Sequence, residues 1–278
     1  MPLIDYAVPG PLTDLHGVPD GALPDVPPQG TDPLAVCTLV QGLVVQPADA
    51  QALGLPARRL AAKDVRPAAA LVAELLALDP APLTDARPPQ LRVVGTCRHF
   101  AVLAVALLRR AGLPARARCG FATYVEPGRG LDHWVVEHRT AEHGATGRWR
   151  RVDAEVAGTG VVADELGPEE FLTGGEAWAA YRRGALDASR FGVPGTRDAW
   201  GPAELKGNAI RDLAALNKVE VLPWDEWGRM ADAYRGATGR DHDALVDTVA
   251  AVCGADDPAF VSDLYAREEL RVPGYLLR

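Results

Sequence analysis

Residues 95–116, GTCRHFAVLAVALLRRAGLPAR, are the most strongly patterned stretch of the chain. Thr96 precedes an apolar run over 97–111, and Gly112-Leu-Pro follows it. Hydroxyl side chains favour the N-cap of a helix, and glycine favours its C-terminal end. This stretch therefore predicts a helix that begins at Cys97.

Strand patterns follow the predicted helix. Residues 115–125 alternate like a strand and end before the turn Pro127-Gly-Arg-Gly, and further strands are predicted over 132–140 and 148–155. A turn centred on His143 would join the last two strands. Together the three predict an antiparallel β-meander.

The rest of the chain divides by composition. Fifteen of the 23 prolines precede residue 90, which predicts a Pro-rich arm over 1–35 that either wraps a surface or stays mobile. The core is predicted over 36–160, with a strand over 37–45 and a helix over 66–78. Residues 161–278 predict a helical extension packed on the core, with helices over 168–183, 202–217, 224–235, 241–252 and 258–270. Since no flexible linker separates these parts, a single domain over 1–278 is expected.

Charge and cysteine usage exclude several classes of protein. The chain has 29 basic and 37 acidic residues, a net charge of −8, which gives no general footprint for nucleic acid or an anionic membrane. Residues 1–6 do not resemble a secretory signal, and no apolar run is long enough to span a membrane. The four scattered cysteines indicate reduced thiols and a cytoplasmic location, with Cys37, Cys119 and Cys253 as buried apolar fillers. The oligomeric state stays open.

Three residues could together perform nucleophilic catalysis. Cys97 is predicted in the first turn of a helix, where unpaired N–H groups and the helix dipole favour the reactive thiolate. His133 on the next strand pattern is a candidate base, and Asp153 is the candidate group that orients it. If the turn centres on His143, paired residue numbers sum to 286 and His133 lies opposite Asp153. Glu155 is the second choice for the orienting carboxylate.

The spacing of the histidines argues against a metal site. His133 and His138 are five residues apart on one predicted strand, so their side chains point to opposite faces. No metal site is therefore expected, and the chemistry of the three residues requires no metal or organic cofactor.

Three motifs resemble one known family. The sequence from Gly95 to Arg116 resembles the nucleophile helix of the transglutaminase-like superfamily, Asp132-His-Trp-Val-Val-Glu resembles its histidine strand, and Trp149-Arg-Arg-Val-Asp resembles its Trp-x-x-x-Asp strand. The resemblance covers residues 91–156, with spacings of 36 and 20 residues between Cys97, His133 and Asp153. It implies a papain-like core of the α+β class, in which the nucleophile helix packs on an antiparallel meander, and a bacterial member with a Cys97/His133/Asp153 triad. Many bacterial relatives have Asp and His where this chain has His99 and Val102, which predicts a different charge beside the nucleophile.

The reaction class follows from the resemblance, and the substrate does not. It implies cleavage or exchange of an amide or ester bond through a Cys97 thioester, with water or an amine accepting the acyl group. A small-molecule or carrier-bound acyl donor is as plausible as a protein. Alternatives are a non-catalytic binding module with the same fold and, with less support, a metal-dependent hydrolase. Five residues around the triad are predicted to bind substrate: Thr96, His99, Tyr124, Asp132 and Trp134. A surface position is the alternative for His99, and sheet packing is the alternative for Trp134.

Overall fold

The structure is a computed structural model that describes residues 4–24, 31–139 and 147–278. These residues form two units, each assembled from separate stretches of chain. We call the first the N-terminal unit (Asp5–Ala117, Val135–Glu165 and Leu277–Arg278) and the second the C-terminal unit (Ile4, Arg118–Trp134 and Leu166–Leu276). The expected single domain over 1–278 stays a prediction.

Helices and strands alternate through the first half, and helices dominate the second. The helices are α1 (Pro33–Gln41), α2 (Pro47–Ala52), α3 (Ala68–Leu78), α4 (Cys97–Arg110), α5 (Gly174–Arg182), α6 (Pro202–Leu216), α7 (Met230–Tyr234), α8 (Arg240–Ala255) and α9 (Pro258–Tyr265). The strands are β1 (Val44–Val45), β2 (Val93–Val94), β3 (Ala115–Ala122), β4 (Gly130–His138), β5 (Arg150–Val152), β6 (Phe171–Thr173) and β7 (Phe191–Gly192). This combination of helices with a largely antiparallel sheet confirms the predicted α+β class.

The helix predicted from the Cys97 stretch is confirmed. α4 begins at Cys97, one residue after its N-cap Thr96, and every residue from Cys97 to Arg109 is buried. A helix that is buried on all sides lies in the interior of a unit. α4 packs against α1 and α3 within the N-terminal unit.

The strand predicted over 37–45 is wrong for most of its length. Residues 33–41 form α1 instead, and only Val44–Val45 is a strand. Asp32 caps the helix by accepting a hydrogen bond from the Leu34 N–H at 3.0 Å, and Pro33 occupies its first turn. An acidic cap followed by proline is a helix-start signal, and it outweighs the β-branched composition of the run.

The described residues of the Pro-rich arm from Asp5 onward belong to the N-terminal unit and pack within it. Leu12 and Thr13 are fully buried, and the Leu12 carbonyl accepts a hydrogen bond from the Ala68 N–H at 2.8 Å. The Tyr6 carbonyl accepts one from the Ala115 N–H at 3.1 Å. Of the two predicted behaviours of the arm, these residues follow the wrapping one.

The predicted hairpin register between β4 and β5 is wrong by two. β4 pairs with β5 antiparallel through Val136↔Val152 and Glu137↔Arg151, so paired numbers sum to 288 and not 286. The ladder ends at Val152, so the predicted pair His133 and Asp153 is not part of it. The predicted turn centre, His143, lies outside the described residues. A change of two in the sum preserves the face on which each side chain lies.

Strands β3 and β4 are hydrogen-bonded neighbours that run through both units. In the C-terminal unit β3 pairs antiparallel with β6 through Gly120↔Thr173, and β4 pairs parallel with β7 through Gly130↔Phe191. β6 occupies part of the helix predicted over 168–183. That helix begins only at Gly174, because Thr173 and Glu176 form a capping box there.

The remaining predicted helices are confirmed with adjusted bounds. α6 and α8 correspond closely to the predictions, whereas α7 covers only residues 230–234 of the helix predicted over 224–235 and α9 ends at Tyr265, short of the predicted end at 270. α6 packs against α5, α7, α8 and α9, so it is the central helix of the C-terminal unit.

Candidate functional site

Cys97 lies at the amino end of α4, as predicted. Thr96 has the extended conformation of an N-cap, with φ −96° and ψ 179°, and Cys97 is the first helical residue. The side chain is 8% exposed, so it is enclosed without being sealed from solvent. The first N–H groups of a helix have no partner within the helix and carry partial positive charge, which favours a thiolate at this position.

His99 completes the cap of this helix. Its Nδ1 accepts a hydrogen bond from the Thr96 N–H at 3.0 Å, and its Nε2 lies 3.2 Å from the Val65 carbonyl oxygen. The ring is therefore a neutral tautomer that accepts at Nδ1 and donates at Nε2. Burial, and then the charge of Arg98, lower the pKa of His99 to about 3.

This position does not support the predicted contact between His99 and a substrate, and the alternative surface position is wrong because the residue is buried. The ring is fully buried and both of its nitrogens are engaged with the backbone. Gly95 is required beside it, because an added Cβ would lie 2.7 Å from the His99 Cβ. His99 thus shapes the backbone before Cys97, while the predicted substrate contact of Thr96 stays a prediction.

Asp153 is buried just after β5 in the N-terminal unit. It is 2% exposed, and its Oδ1 accepts a hydrogen bond from the Glu155 N–H at 2.8 Å. Its carbonyl oxygen accepts one from the Ala157 N–H at 2.9 Å. Burial, and then the charge of Asp153, raise the pKa of Cys37 to about 12. Cys37 is therefore held as a neutral thiol beside this carboxylate, in keeping with its predicted structural role.

Two glutamines fix the segment that carries Asp153. Gln41 at the end of α1 donates from Nε2 to the carbonyl oxygens of Ala154 at 3.2 Å and Ala157 at 3.0 Å. Gln46, which follows β1, donates from Nε2 to Glu155 Oε1 at 2.8 Å. We call these contacts the glutamine strap.

The strap ends next to the loop that precedes Cys97. β1 and β2 pair in parallel through Val45↔Val94, and the Gly95 N–H donates to the Val45 carbonyl oxygen at 3.0 Å. Gln46 follows Val45, and Cys97 comes two residues after Gly95. The contacts of the N-terminal unit thus join the segment of Asp153 to the backbone that leads into Cys97.

His133 lies near the start of β4 in the C-terminal unit. It is 8% exposed, and its ring meets the ring of Tyr124 edge-on, with 6.2 Å between centroids. Tyr124, predicted to line the site, therefore contacts the predicted base. Trp134 is only 1% exposed and points to the opposite face of the strand, the environment expected of its packing alternative.

The neighbouring Asp132 is partly buried and titratable near neutrality. Asn208 Nδ2 donates to its Oδ1 at 2.8 Å. Burial, and then the negative charge of Glu204, raise the pKa of Asp132 to about 7.

Other residues of the histidine and aspartate motifs are structural. Glu137 is 2% exposed and accepts hydrogen bonds from Arg116 Nε at 2.7 Å and Arg151 Nε at 2.8 Å. The Arg116 guanidinium stacks on Trp149 at 4.0 Å and also faces Tyr6 at 5.2 Å. This buried cluster fixes the pairing of β4 with β5.

Sequence reasoning missed two groups of residues around the predicted site. The glutamine strap has no local signature, because Gln41 and Gln46 act on residues more than a hundred positions away. The polar residues Glu204, Asn208 and Arg211 of α6 do have one, since they recur at helical spacing in a run rich in alanine and leucine. Among residues 4–24, 31–139 and 147–278, no three histidine, cysteine or acidic side chains are grouped as ligands of a metal ion.

Comparison with known proteins agrees with the sequence resemblance. Residues 82–154 match the family model of the transglutaminase-like superfamily, a segment that contains Cys97, His133 and Asp153. No curated protein and no solved structure matches the chain. Within the described part of the chain, the helices are too short or too polar to cross a membrane.

Proposed function

We propose that the protein is a cysteine enzyme that cleaves or exchanges an amide or ester bond, because residues 82–154 match the family model of the transglutaminase-like superfamily. Cys97 is the proposed nucleophile, His133 the base and Asp153 the group that orients the base. The observation that carries the proposal is the position of Cys97 as the first residue of a 14-residue helix inside the matched segment. A thiol at such a helix terminus has a stabilised anionic form.

The proposed reaction begins with proton transfer from the Cys97 thiol to the His133 imidazole. The thiolate attacks the substrate carbonyl carbon, and the carbonyl oxygen becomes an oxyanion. The Cys97 backbone N–H is the proposed donor to this oxyanion, and such a donor typically contributes about 3 kcal/mol. The imidazolium then protonates the leaving amine or alcohol as the carbon–heteroatom bond breaks, which leaves a thioester on Cys97.

The acyl group leaves Cys97 in a second step. Water or an amine attacks the thioester, His133 accepts its proton, and the thiol is regenerated. Asp153 favours the imidazolium form and fixes the tautomer of His133. The glutamine strap supports this role, because it holds the segment of Asp153 to the backbone next to Cys97. These steps use no metal or organic cofactor.

The proposed partners are an acyl donor and, where transfer replaces hydrolysis, an amine acceptor. The net charge of −8 favours neither nucleic acid nor an anionic membrane as a partner. A reducing, cytoplasmic compartment is proposed because the four cysteines, all within the described part of the chain, form no disulfide.

Thiol reactivity tests the proposal without a known substrate. Iodoacetamide at pH 6 should alkylate Cys97 much faster than a model thiol, because only an activated cysteine is ionised at that pH. Cys97→Ala should remove the fast adduct in intact-mass analysis, and His133→Ala should slow its formation. Cys253→Ala is the matched control, since Cys253 is a buried cysteine of α8 outside the proposed triad, and it should leave the fast adduct unchanged.

An acyl adduct on Cys97 identifies the substrate class. Incubation with amide, ester and thioester donors should add the acyl mass to wild type but not to Cys97→Ala. Alkylation of wild-type Cys97 no faster than a model thiol would contradict the proposal and favour a non-catalytic binding module.

A further inference from the structure

Helix α6 is buried on all sides, yet it carries a stripe of polar residues. Glu204, Asn208 and Arg211 recur at intervals of four and three, and Asp212 lies four residues after Asn208. Residues at these intervals share one face of a helix. All four are at most 1% exposed. Buried polar groups are costly unless they are hydrogen-bonded, so their partners identify what the stripe holds in place.

The side-chain amide of Asn208 uses its whole hydrogen-bonding capacity. Its Nδ2 donates to the Gly120 carbonyl oxygen at 3.2 Å and to Asp132 Oδ1 at 2.8 Å. Its Oδ1 accepts from Arg211 Nη1 at 3.0 Å and from Cys119 Sγ at 3.3 Å. An amide has two donor hydrogens and two acceptor lone pairs, so none is left over. Asn208 therefore ties β3 to β4 in a single orientation.

Asp132, which this amide holds, immediately precedes His133. The charged and titratable groups around its carboxyl are Glu204 and Arg211 on α6, Cys119 on β3, His133 on β4 and, behind Glu204, the hydroxyl of Tyr234 on α7. Burial and Glu204 favour the neutral acid, whereas the Arg211 guanidinium, the Asn208 amide and His133 favour the carboxylate. The balance leaves the pKa of Asp132 at about 7.

The same helix fixes β3 a second time. Asp212 forms a bidentate pair with Arg118, with both N···O distances at 2.8 Å, and its Oδ1 accepts the Cys119 N–H at 3.1 Å. Adjacent residues of a strand point to opposite faces. The side chains of Asp132 and His133 therefore point to opposite faces of β4. The contacts that α6 makes with Asp132 and with β3 hold the backbone of His133 from the face opposite its imidazole.

We propose that Asn208 is a positioning residue for His133: from α6 it clamps β3 and β4 and holds the carboxyl of Asp132 against the backbone that presents the imidazole. The inference rests on the proposed function, because it gives the helical extension a part in orienting the base of the Cys97–His133 pair.

The test compares Asn208→Ala with Asn217→Ala. Asn217 is the matched control, because its Nδ2 donates to the Leu213 carbonyl oxygen at 2.8 Å at the end of the same helix and lies outside the clamp. The measurements are the rate of Cys97 alkylation by iodoacetamide from pH 5 to 9, the titration of the His133 ring by NMR, and the melting temperature.

Asn208→Ala should change the pH behaviour of the site as well as its stability. Loss of the amide favours the neutral form of Asp132, which removes a negative charge near His133, so His133 should titrate at lower pH by roughly half a unit. Alkylation at pH 6.5 should slow about 10-fold or more, as expected when a catalytic group is misplaced. Asn217→Ala should leave both quantities at wild-type values. A lower melting temperature with an unchanged His133 titration and alkylation profile would overturn the proposal.

Asp132→Asn keeps the proposal testable if Asn208→Ala fails to fold. Its amide oxygen can still accept from Asn208 Nδ2 while the charge is gone, so His133 should again titrate at lower pH in a folded protein. An unchanged His133 titration in Asp132→Asn would overturn the inference that the carboxyl held by Asn208 acts on His133. If the proposed function is wrong, wild-type Cys97 should react no faster than a model thiol. The His133 titration should nevertheless differ between wild type and Asn208→Ala, so the two failures can be told apart.

Discussion

His99 is a buried neutral imidazole, and its replacement by glutamine should make the protein less sensitive to acid. Glutamine at the third position of a helix can accept a hydrogen bond from the N-cap N–H, as Nδ1 of His99 does from Thr96. Its amide can also donate to the Val65 carbonyl oxygen in place of Nε2. The substitution therefore preserves the contacts and removes only the titrating group.

The size of the effect follows from proton linkage. The pKa of His99 is about 3 in the folded protein, against 6.5 for an ordinary histidine. The unfolded chain binds the proton first, so the stability that His99 contributes is complete above pH 6.5 and is lost as the pH falls towards 3. Between pH 7.5 and 4.5 this amounts to about 2.7 kcal/mol of the free energy of unfolding, at about 1.4 kcal/mol per pH unit once histidine protonates in the unfolded state.

Urea denaturation at pH 7.5, 6.5, 5.5 and 4.5 measures this difference. The free energy of unfolding of wild type should fall between pH 7.5 and 4.5 by about 2.7 kcal/mol more than that of His99→Gln. His16→Gln is the control, because His16 is exposed, and its curve should follow wild type. Parallel curves for wild type and His99→Gln would refute the argument that the ring is held neutral.

Two further substitutions test contacts around the predicted site. Gly95→Ala should destabilise the protein by about 1–3 kcal/mol in urea denaturation, because the new methyl would lie 2.7 Å from the His99 Cβ; the control Gly254→Ala, with open space around it, should not, and equal effects of the two would contradict the packing argument. Asp212→Ala should lower stability by about 3–5 kcal/mol, because it leaves the Arg118 guanidinium buried without its bidentate partner. Asp241→Ala removes a surface partner of Arg229 and should leave the melting temperature unchanged. A comparable loss in both aspartate variants would show that burial of the pair is not the cause.

Helix α4 could be predicted from the sequence because its signals are local. Thr96 before the apolar run and Gly112 after it mark its two ends within a few residues of those observed. The start of α1 has an equally local signal in Asp32 and Pro33, but its β-branched residues favour a strand by composition. In this segment the N-cap signal gives the correct prediction of a helix, whereas the residue composition wrongly favours a strand.

The hairpin register and the clamp depend on information that is not local. Composition in the turn around His143 indicates a turn without fixing its centre, so the sequence predicts the correct face for Glu137 and Arg151 but the wrong partners. The polar stripe on α6 looks like an exposed face, because its burial depends on helices that surround α6 in the C-terminal unit. Only the packed structure shows that Asn208 reaches β3 and β4.

The interleaving of the two units constrains how the chain can be divided. The N-terminal unit contains Asp5–Ala117 and Val135–Glu165. The C-terminal unit contains Arg118–Trp134, which lies between these two stretches in the sequence. No single cut in the backbone can therefore release either unit whole. On the ribosome, Asp132 emerges well before Asn208 and must wait about 76 residues of synthesis for its partner. A nascent chain that stops short of α6 would lack the contacts that Asn208 makes with β3 and β4, so we expect the proposed activity to appear only late in translation.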